Sequence, residues 1–291
     1  MNKEYEKKKD EIIVYNLQDF NVIQTLNCGQ IFRFSIDGNR AEVYSQNKKA
    51  ELITERDKIV IKTKYVDFFE NFFDLKTNYE SIKNKLRTDA FLSVAVDFGY
   101  GIRIINNDAF EMIISYIISA NNNINRIKKS IEYLCSRFGE NMGDYFAFPS
   151  LEALKTASVE DFKSAGLGYR AEQMYYTVQN LTNEDVENLK LMSKDEQLKF
   201  LMSLKGVGEK VANCIMLFGL GVKDVFPVDT WINKVYNKLT NSNETDRRKI
   251  TKILTDKYGE LSGYAQQYFF YYFRDNKIKN WLISLTLLKL V

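Results

Sequence analysis

Alternating apolar and polar positions mark the first part of the chain. An Asp37-Gly38 pair, a typical hairpin turn signal, interrupts this pattern. The apolar positions with a period of two are Phe32, Phe34, Ile36, Ala41, Val43, Ile59 and Ile61. This pattern predicts a twisted antiparallel sheet of about four to six strands. Helices over residues 68–75 and 79–86 are expected to cover one face of the sheet.

Helical patterns replace the alternation after about residue 98. Asp108 precedes an almost wholly apolar segment, which predicts a capped and buried helix that ends at Asn121. Residues 124–138 are amphipathic, and capping-box patterns begin at Ser158 and Ser193. The chain is therefore predicted to be an α+β protein, with an antiparallel sheet domain over residues 1–98 and a mainly helical region over residues 99–291.

A glycine turn joins two of the predicted helices, within a unit of about residues 193–220. Its sequence is LKGVG, and its central residues are Gly206, Val207 and Gly208. The two glycines free the backbone, and the next helix would present its first N–H groups at the turn, where a phosphate could bind. A plain connection between two helices is an equally good interpretation of this motif alone.

A lysine and an aspartate flank the helix that follows this turn. Lys210 lies in its first turn, where the helix dipole disfavours a cation and so favours a nucleophilic amine. Cys214 lies one turn further on the same face. Asp229 follows Pro227 as an expected N-cap. The spacing predicts an amine and a carboxylate in one cleft.

Composition narrows the chemistry that this cleft can perform. The chain of 291 residues has a net charge of +3 and no histidine, so acid–base or nucleophilic work must use other side chains. Its three cysteines are scattered and lack the spacing of a zinc or iron–sulfur site, which suits a reducing cytoplasm. The apolar segment 281–291 is too short to span a membrane and is expected to pack against the body.

Seven sequence blocks together resemble one family. LKGVGEK, VANC and FPVDTW match the helix–hairpin–helix DNA glycosylases, and GQIFRF, SANNNINRI, AGLGYRA and GYAQQYFF match in order the 8-oxoguanine glycosylases with lyase activity. The resemblance implies a TBP-like sheet domain packed on a helical glycosylase region. It also implies base-excision repair of duplex DNA by a monomeric, cytoplasmic, bacterial enzyme without a membrane partner.

The resemblance assigns catalysis to Lys210 and Asp229. The lysine would attack C1′ of the damaged nucleotide, and a Schiff base would then lead to strand nicking by β-elimination. The aspartate would stabilise the positive charge that develops on the sugar, as carboxylates do in glycosidic cleavage elsewhere. The damaged base must be flipped out of the duplex first.

Four further positions would recognise that base. The Gly29 carbonyl would accept the N7–H that 8-oxoguanine has and guanine lacks. Cys214 and Phe270 would sandwich the base, and Gln266 would bind its Watson–Crick edge. From aromatic burial alone, Phe270 would be a core residue.

The remaining assignments concern the opposite strand and the backbone. Asn121, Arg126 and Arg170 would fill the gap and contact the opposite cytosine, with Tyr169 as a wedge, although the two arginines would by default be solvated. Gly206, Val207 and Gly208 would bind phosphate. No cofactor or iron–sulfur cluster is expected, and hairpin carbonyls could hold a monovalent cation.

Two departures from the family pattern are visible. Lys205 replaces the hairpin's usual proline, and Trp231 replaces a histidine of the eukaryotic enzymes. Two alternatives stay open: a glycosylase of the same superfamily for another damaged base, and a non-catalytic helix–hairpin–helix DNA-binding module. The base-recognition set argues against the first, and the presence of both Lys210 and Asp229 argues against the second.

Overall fold

Six strands near the N-terminus form one antiparallel sheet. The computed structural model describes residues 4–275. The strands are β1 (Tyr5–Lys7), β2 (Glu11–Val14), β3 (Phe34–Asp37), β4 (Arg40–Ser45), β5 (Lys48–Thr54) and β6 (Ile59–Lys62). Their order in the sheet is β1-β2-β6-β5-β4-β3. Gly38, with a φ of +57°, makes the predicted hairpin turn between β3 and β4.

The sheet buries one face against a short helix, α2 (Val66–Phe72). Apolar residues of β2, β4, β5 and β6 form a separate core with Phe69, Phe72 and Phe73. The expectation that residues 79–86 also cover the sheet is wrong. Tyr79 and Leu86 belong to the larger helical core, where the ring of Tyr79 packs edge-on against Tyr264 at 5.6 Å. A residue pattern shows that a helix has an apolar face, but it does not show which core receives that face.

Helices dominate the rest of the described chain. In the first half they are α1 (Val22–Asn27), α2, α3 (Tyr79–Leu86), α4 (Ala90–Phe98), α5 (Ala109–Ser119), α6 (Ile124–Phe138) and α7 (Leu151–Lys155). In the second half they are α8 (Val159–Ser164), α9 (Arg170–Asn180), α10 (Asn183–Leu189), α11 (Lys194–Ser203), α12 (Glu209–Gly219), α13 (Thr230–Thr240), α14 (Arg247–Tyr258) and α15 (Ser262–Asp275). This arrangement confirms the expected α+β fold, a sheet domain with a mainly helical region.

The expected helix starts are confirmed by their caps. The Asp108 side chain accepts from the N–H of Glu111 at the start of α5. Complete capping boxes open α8 at Ser158 and α11 at Ser193. Each cap satisfies backbone donors that a helix start leaves without a partner. Local sequence alone therefore places these helix boundaries.

The apolar helix α5 packs closely against α12. A side chain at Gly219 of α12 would meet Met112 at 3.0 Å and the backbone of Ala109 at 3.2 Å. The glycine therefore lets the two helices approach each other. Because α12 begins at the glycine hairpin and α5 touches the sheet domain, this contact links both parts of the molecule.

The same end of α5 holds a buried carboxyl group against the sheet. Glu111 accepts from the backbone N–H of Gln46 at 3.0 Å and from the Ser45 hydroxyl at 3.2 Å. The pKa of Glu111 is raised from 4.5 to about 7: burial is the main cause and the nearby Asp108 contributes, while these hydrogen bonds and Arg33 oppose the shift. Glu111 therefore changes its charge near neutral pH.

No helix within residues 4–275 combines the length and apolar character needed to cross a bilayer. The segment 281–291, which is expected to pack against the body, lies outside the described residues.

Glu111 predicts a pH-dependent stability. Its folded-state pKa is raised, so the folded chain holds the proton more tightly than the unfolded chain. The resulting contribution to stability is complete below about pH 4.5 and is lost as pH rises through about 7. Glu111→Gln keeps the acceptor oxygen and removes the charge. We expect it to stabilise the protein at pH 8 by about 2–3 kcal/mol relative to its effect at pH 5. Urea unfolding at both pH values measures this.

The exposed Glu184 in α10 provides a control. Glu184→Gln removes the same charge from an exposed site, and its effect on the unfolding free energy at the two pH values is the reference for Glu111→Gln. If Glu111→Gln behaves like this control, the raised pKa of Glu111 is contradicted.

Candidate active site

The glycine hairpin connects α11 to α12. Gly206 has a φ of +87°, and a side chain there would meet Gln173 at 3.1 Å and Ile117 at 3.3 Å. Gly208 instead has an extended backbone with a φ of −92°, and a side chain there would meet no protein atom within 4 Å. Only Gly206 is thus needed for the turn itself, contrary to the expectation for both glycines. Gly208 lies at an uncapped helix start that faces open space, which suits a bound anion.

Lys210 and Asp229 approach the same thiol. Cys214 is buried; burial raises the pKa of its thiol, the Lys210 amine lowers it through charge and a hydrogen bond, and Asp229 raises it. Asp229 also caps α13, where its Oδ1 accepts from the Ile232 N–H at 2.8 Å. The structure therefore brings the predicted amine, carboxylate and thiol together.

Gly29 and Phe270 lie in contact with each other. Gly29 has a φ of +83°, and a side chain there would lie 3.1 Å from the Phe270 ring. One turn before Phe270 on α15, Gln266 is only 5% exposed. Its Oε1 has no hydrogen-bond partner among the described residues. A buried amide oxygen without a partner is costly, so it is suited to a ligand that donates hydrogen bonds.

Three consecutive carbonyls around Gly29 are held by three side chains from elsewhere. Gln267 donates to the Cys28 carbonyl at 2.7 Å, Tyr116 to the Gly29 carbonyl at 3.2 Å, and Asn107 to the Gln30 carbonyl at 3.2 Å. The segment is therefore fixed in space although it is not part of a helix or strand. These side chains lie far from Gly29 in sequence.

Tyr116 also faces Lys210, and the sequence pattern did not identify it as a site residue. The Lys210 Nζ lies 5.6 Å from the centroid of the Tyr116 ring, and the ring itself is buried against Phe218 and Phe32. A tyrosine inside a buried, mainly apolar helix was the available signal, because a buried tyrosine usually donates its O–H to a partner.

The residues predicted for the opposite strand lie around one loop. Asn121 is exposed with a left-handed φ of +49°, and its amide lies 3.5 Å from the hydroxyl of Tyr169, which is 61% exposed. Arg126 is exposed on α6. Arg170 is only 7% exposed, and stacks 4.5 Å from the Tyr169 ring centroid.

Arg170 is not the solvated side chain that its sequence context suggests by default. Its Nε donates to the Ala120 carbonyl at 2.6 Å, its Nη2 to the Asn121 carbonyl at 2.9 Å and its Nη1 to the Leu167 carbonyl at 3.2 Å. The guanidinium therefore ties the Asn121 loop to the start of α9. Its contact with an opposite cytosine stays a prediction.

A groove of about 410 Å³, lined by three basic and two acidic side chains, includes Lys210 and Gly208 of the hairpin. It is lined by Arg247 and Arg248, and Arg248 also pairs with Glu209 at 2.9 Å. Trp231 is 44% exposed on α13, and the Lys234 amine lies 5.5 Å from its ring centroid. The exposed basic and aromatic surface beside the cleft is of the kind that binds nucleic-acid backbones.

Within residues 4–275, no three acidic or cysteine side chains lie close enough together to hold a metal ion. Cys28, Cys135 and Cys214 are buried free thiols. At the hairpin, the Leu204 carbonyl accepts from Val207 N–H and the Lys205 carbonyl from Thr177. The absence of a cofactor and the monovalent cation both stay predictions.

A glycine hairpin, an uncapped helix start and a lysine–aspartate pair define the class: a helix–hairpin–helix protein with a lysine next to its glycine turn. Two family models match successive parts of the chain. The 8-oxoguanine DNA glycosylase N-terminal domain matches residues 12–113, and the HhH-GPD superfamily of base excision DNA repair proteins matches residues 114–260. The chain belongs to the 8-oxoguanine DNA glycosylase branch of the HhH-GPD superfamily.

Individual relatives agree with the family models. A probable N-glycosylase/DNA lyase of Methanothermobacter thermautotrophicus is 34% identical over 226 residues, covering 69% of this chain and 72% of the relative. The N-glycosylase/DNA lyase of Saccharomyces cerevisiae is 29% identical over 287 residues, covering 83% of this chain and 74% of the relative.

A solved structure extends the likeness to most of the chain. The 8-oxoguanine glycosylase/lyase of Clostridium acetobutylicum, in complex with duplex DNA that has cytosine opposite 8-oxoguanine, is 37% identical. The match covers 94% of this chain and 98% of that one, with a TM-score of 0.87. The family expected from the sequence blocks is thereby confirmed.

Gly29→Ala should destabilise the protein in two ways. A left-handed backbone costs about 1–2 kcal/mol for a residue with a side chain, and the added methyl would also press on the Phe270 ring. We expect a total loss of about 2–3 kcal/mol in the unfolding free energy, measured by urea unfolding.

Gly38→Ala is a matched control. Gly38 also has a positive φ, but a side chain there would meet nothing within 4 Å. It should show the backbone cost alone, so equal losses in the two variants would contradict the tight contact between Gly29 and Phe270.

Proposed function

We propose that this protein is a bifunctional DNA glycosylase and lyase that excises 8-oxoguanine opposite cytosine from duplex DNA and then nicks the strand. The observation that carries the proposal is the position of the Lys210 amine beside the buried Cys214 thiol and the Tyr116 ring, with Asp229 at the start of the next helix. The printed names of the relatives, N-glycosylase/DNA lyase and 8-oxoguanine glycosylase/lyase, support the same activity.

In the proposed reaction, the Lys210 amine attacks C1′ of the flipped nucleotide. The C1′–N9 bond breaks, and the base leaves with the bonding electrons and takes up a proton. Asp229 stabilises the positive charge that develops on the sugar, and its cap bond to Ile232 keeps the carboxylate oriented. Opening of the sugar ring gives a Schiff base between Nζ and C1′, and loss of a 2′ proton then expels the 3′ phosphate.

The damaged base would be selected by Gly29 and Gln266, with Cys214 and Phe270 on either side of it. The Gly29 carbonyl accepts N7–H from 8-oxoguanine, whereas guanine presents a lone pair there and leaves the carbonyl without a partner. The Gln266 Oε1, which lacks a partner among the described residues, accepts from the Watson–Crick N–H groups of the base. Cys214 and Phe270 would pack against the two faces of the base.

The DNA itself would be held by backbone contacts that ignore sequence. The N–H groups at Gly208 and the first turn of α12 face open space at the hairpin, and Arg247 lines the adjoining groove. Such contacts position a duplex without selecting its bases. Tyr169 and Asn121 are exposed next to each other and are suited to fill the gap left by a flipped nucleotide.

Borohydride trapping tests the nucleophile. Wild-type protein incubated with an 8-oxoguanine:cytosine duplex should form a covalent adduct on reduction, because borohydride reduces the Schiff base to a stable amine. Lys210→Gln should form none. Lys205→Gln, which removes a hairpin lysine whose amine lies over the Tyr176 ring, should still be trapped.

An adduct with Lys210→Gln would reject the assignment of this amine. A duplex with an oxidised pyrimidine or an alkylated base in place of 8-oxoguanine tests the alternative lesions. Faster excision of either base than of 8-oxoguanine would overturn the proposed substrate.

Substitution of Arg126 and of Arg170 should lower the preference for cytosine in both cases but should affect stability differently. Arg126→Ala should reduce the preference for cytosine over adenine opposite the lesion, with stability unchanged, because its side chain is exposed. Arg170→Ala should reduce the preference and also cost about 2–4 kcal/mol of stability, because three carbonyls lose their donor.

Excision rates on duplexes with opposite cytosine and adenine, together with urea unfolding, measure both effects. An Arg126→Ala variant with an unchanged cytosine preference would remove that residue from opposite-base recognition.

A further inference from the structure

Tyr116 touches both halves of the proposed site, the Gly29 segment and the Lys210 amine. Its hydroxyl donates to the Gly29 carbonyl at 3.2 Å. Its ring lies 5.6 Å from the Lys210 Nζ, measured to the ring centroid. The ring is held in turn by Phe218, stacked at 6.0 Å, and by Phe32, edge-on at 5.8 Å. Tyr116 therefore has little freedom to move independently of α5 and α12.

The Gly29 carbonyl needs such support because glycine does not hold itself in place. Gly29 has a left-handed backbone and no side chain to anchor it. The carbonyls before and after it are each held by another side chain, from Gln267 and Asn107. Tyr116 supplies the corresponding bond to the one carbonyl that discriminates the base in the proposed function.

We propose that Tyr116 is a positioning residue that aligns base recognition with the nucleophile: its hydroxyl holds the Gly29 carbonyl and its ring supports Lys210. The inference rests on the proposed function and deepens it. A carbonyl oxygen has two lone pairs, so the tyrosine uses one and leaves the other for N7–H of the base. The hydroxyl thus fixes the direction of the carbonyl and does not compete with the substrate.

The hydroxyl and the ring of Tyr116 serve different steps of the reaction, so substitutions can test the two roles separately. Tyr116→Phe removes the hydroxyl and keeps the ring. Tyr116→Leu removes both. Excision of the base depends on the Gly29 carbonyl and on Lys210. A preformed abasic site contains no base, so its nicking depends on Lys210 and not on the Gly29 carbonyl.

Single-turnover rates on two duplexes test this separation. For Tyr116→Phe we expect excision of 8-oxoguanine opposite cytosine to fall about tenfold relative to nicking of a preformed abasic site, from a lost hydrogen bond and a displaced carbonyl. For Tyr116→Leu we expect both rates to fall. Tyr145→Phe is a matched control, because the Tyr145 hydroxyl also donates to a backbone carbonyl, that of Asn47, outside the cleft.

A base analogue isolates the carbonyl contact. In 8-oxo-7-deazaguanine a C–H replaces the N7–H, so the Gly29 carbonyl has nothing to accept. In a Lys210→Gln background, Tyr116→Phe should weaken binding to the 8-oxoguanine duplex about fivefold to tenfold and leave binding to the analogue duplex unchanged. A purely structural defect would weaken both.

The outcomes are distinct. If wild-type protein excises 8-oxoguanine and Tyr116→Phe does so at the same rate, the role of the hydroxyl is rejected. If Tyr116→Phe lowers the rates of excision and of nicking equally, the separate roles of the hydroxyl and the ring are rejected. If wild-type protein nicks abasic sites but does not excise 8-oxoguanine, the proposed substrate fails and the Tyr116 inference fails with it.

Discussion

The close packing of α5 against α12 is the constraint on which the rest of the structure depends. Gly219 removes the side chain that would separate the two helices at Ala109 and Met112. The buried length of α5 carries Glu111 toward the sheet domain and Tyr116 toward the cleft. Because α5 is enclosed on all sides, nearly every one of its positions must be apolar. Two of the polar groups that it buries, the Glu111 carboxyl and the Tyr116 hydroxyl, are each hydrogen-bonded to another part of the chain.

This packing also sets the electrostatic surroundings of the proposed nucleophile. Lys210 lies between an aromatic ring and a buried thiol, with one carboxylate nearby. A chain without histidine has few groups that can take part in proton transfer or charge stabilisation at neutral pH. Low polarity strengthens the remaining interactions, so a single carboxylate can stabilise developing positive charge more effectively than it would in water.

Features set by short-range spacing could be predicted from the sequence. The caps at Asp108, Ser158 and Asp229 each depend on a side chain and an N–H three residues later, so the local pattern contains the whole interaction. Lys210 and Cys214 likewise share a helix face by their spacing alone. The seven family blocks added the more distant members of the site, but only as a resemblance.

Features that need two distant segments could not be found in this way. The bond between Tyr116 and Gly29 joins residues 87 positions apart, and the pattern around Tyr116 indicates only a buried helix. The default expectation of a solvated Arg170 failed for the same reason, because its carbonyl partners at Ala120 and Asn121 lie on another segment. The position of α3 was wrong because an amphipathic helix does not specify which of two cores it joins.

The buried state of Arg170 is compatible with a role in contacting the opposite base. A guanidinium has five N–H donors, and three of them are directed at the carbonyls of Ala120, Asn121 and Leu167. Two donors are left, one on each terminal nitrogen. Cytosine offers two adjacent acceptors, N3 and O2, when its pairing partner is removed. The three carbonyl bonds would then hold the fork in one orientation before DNA arrives, so that contact with cytosine costs little side-chain entropy. A solvated arginine would have to be ordered first, and burial of Arg170 thus favours selectivity for the base.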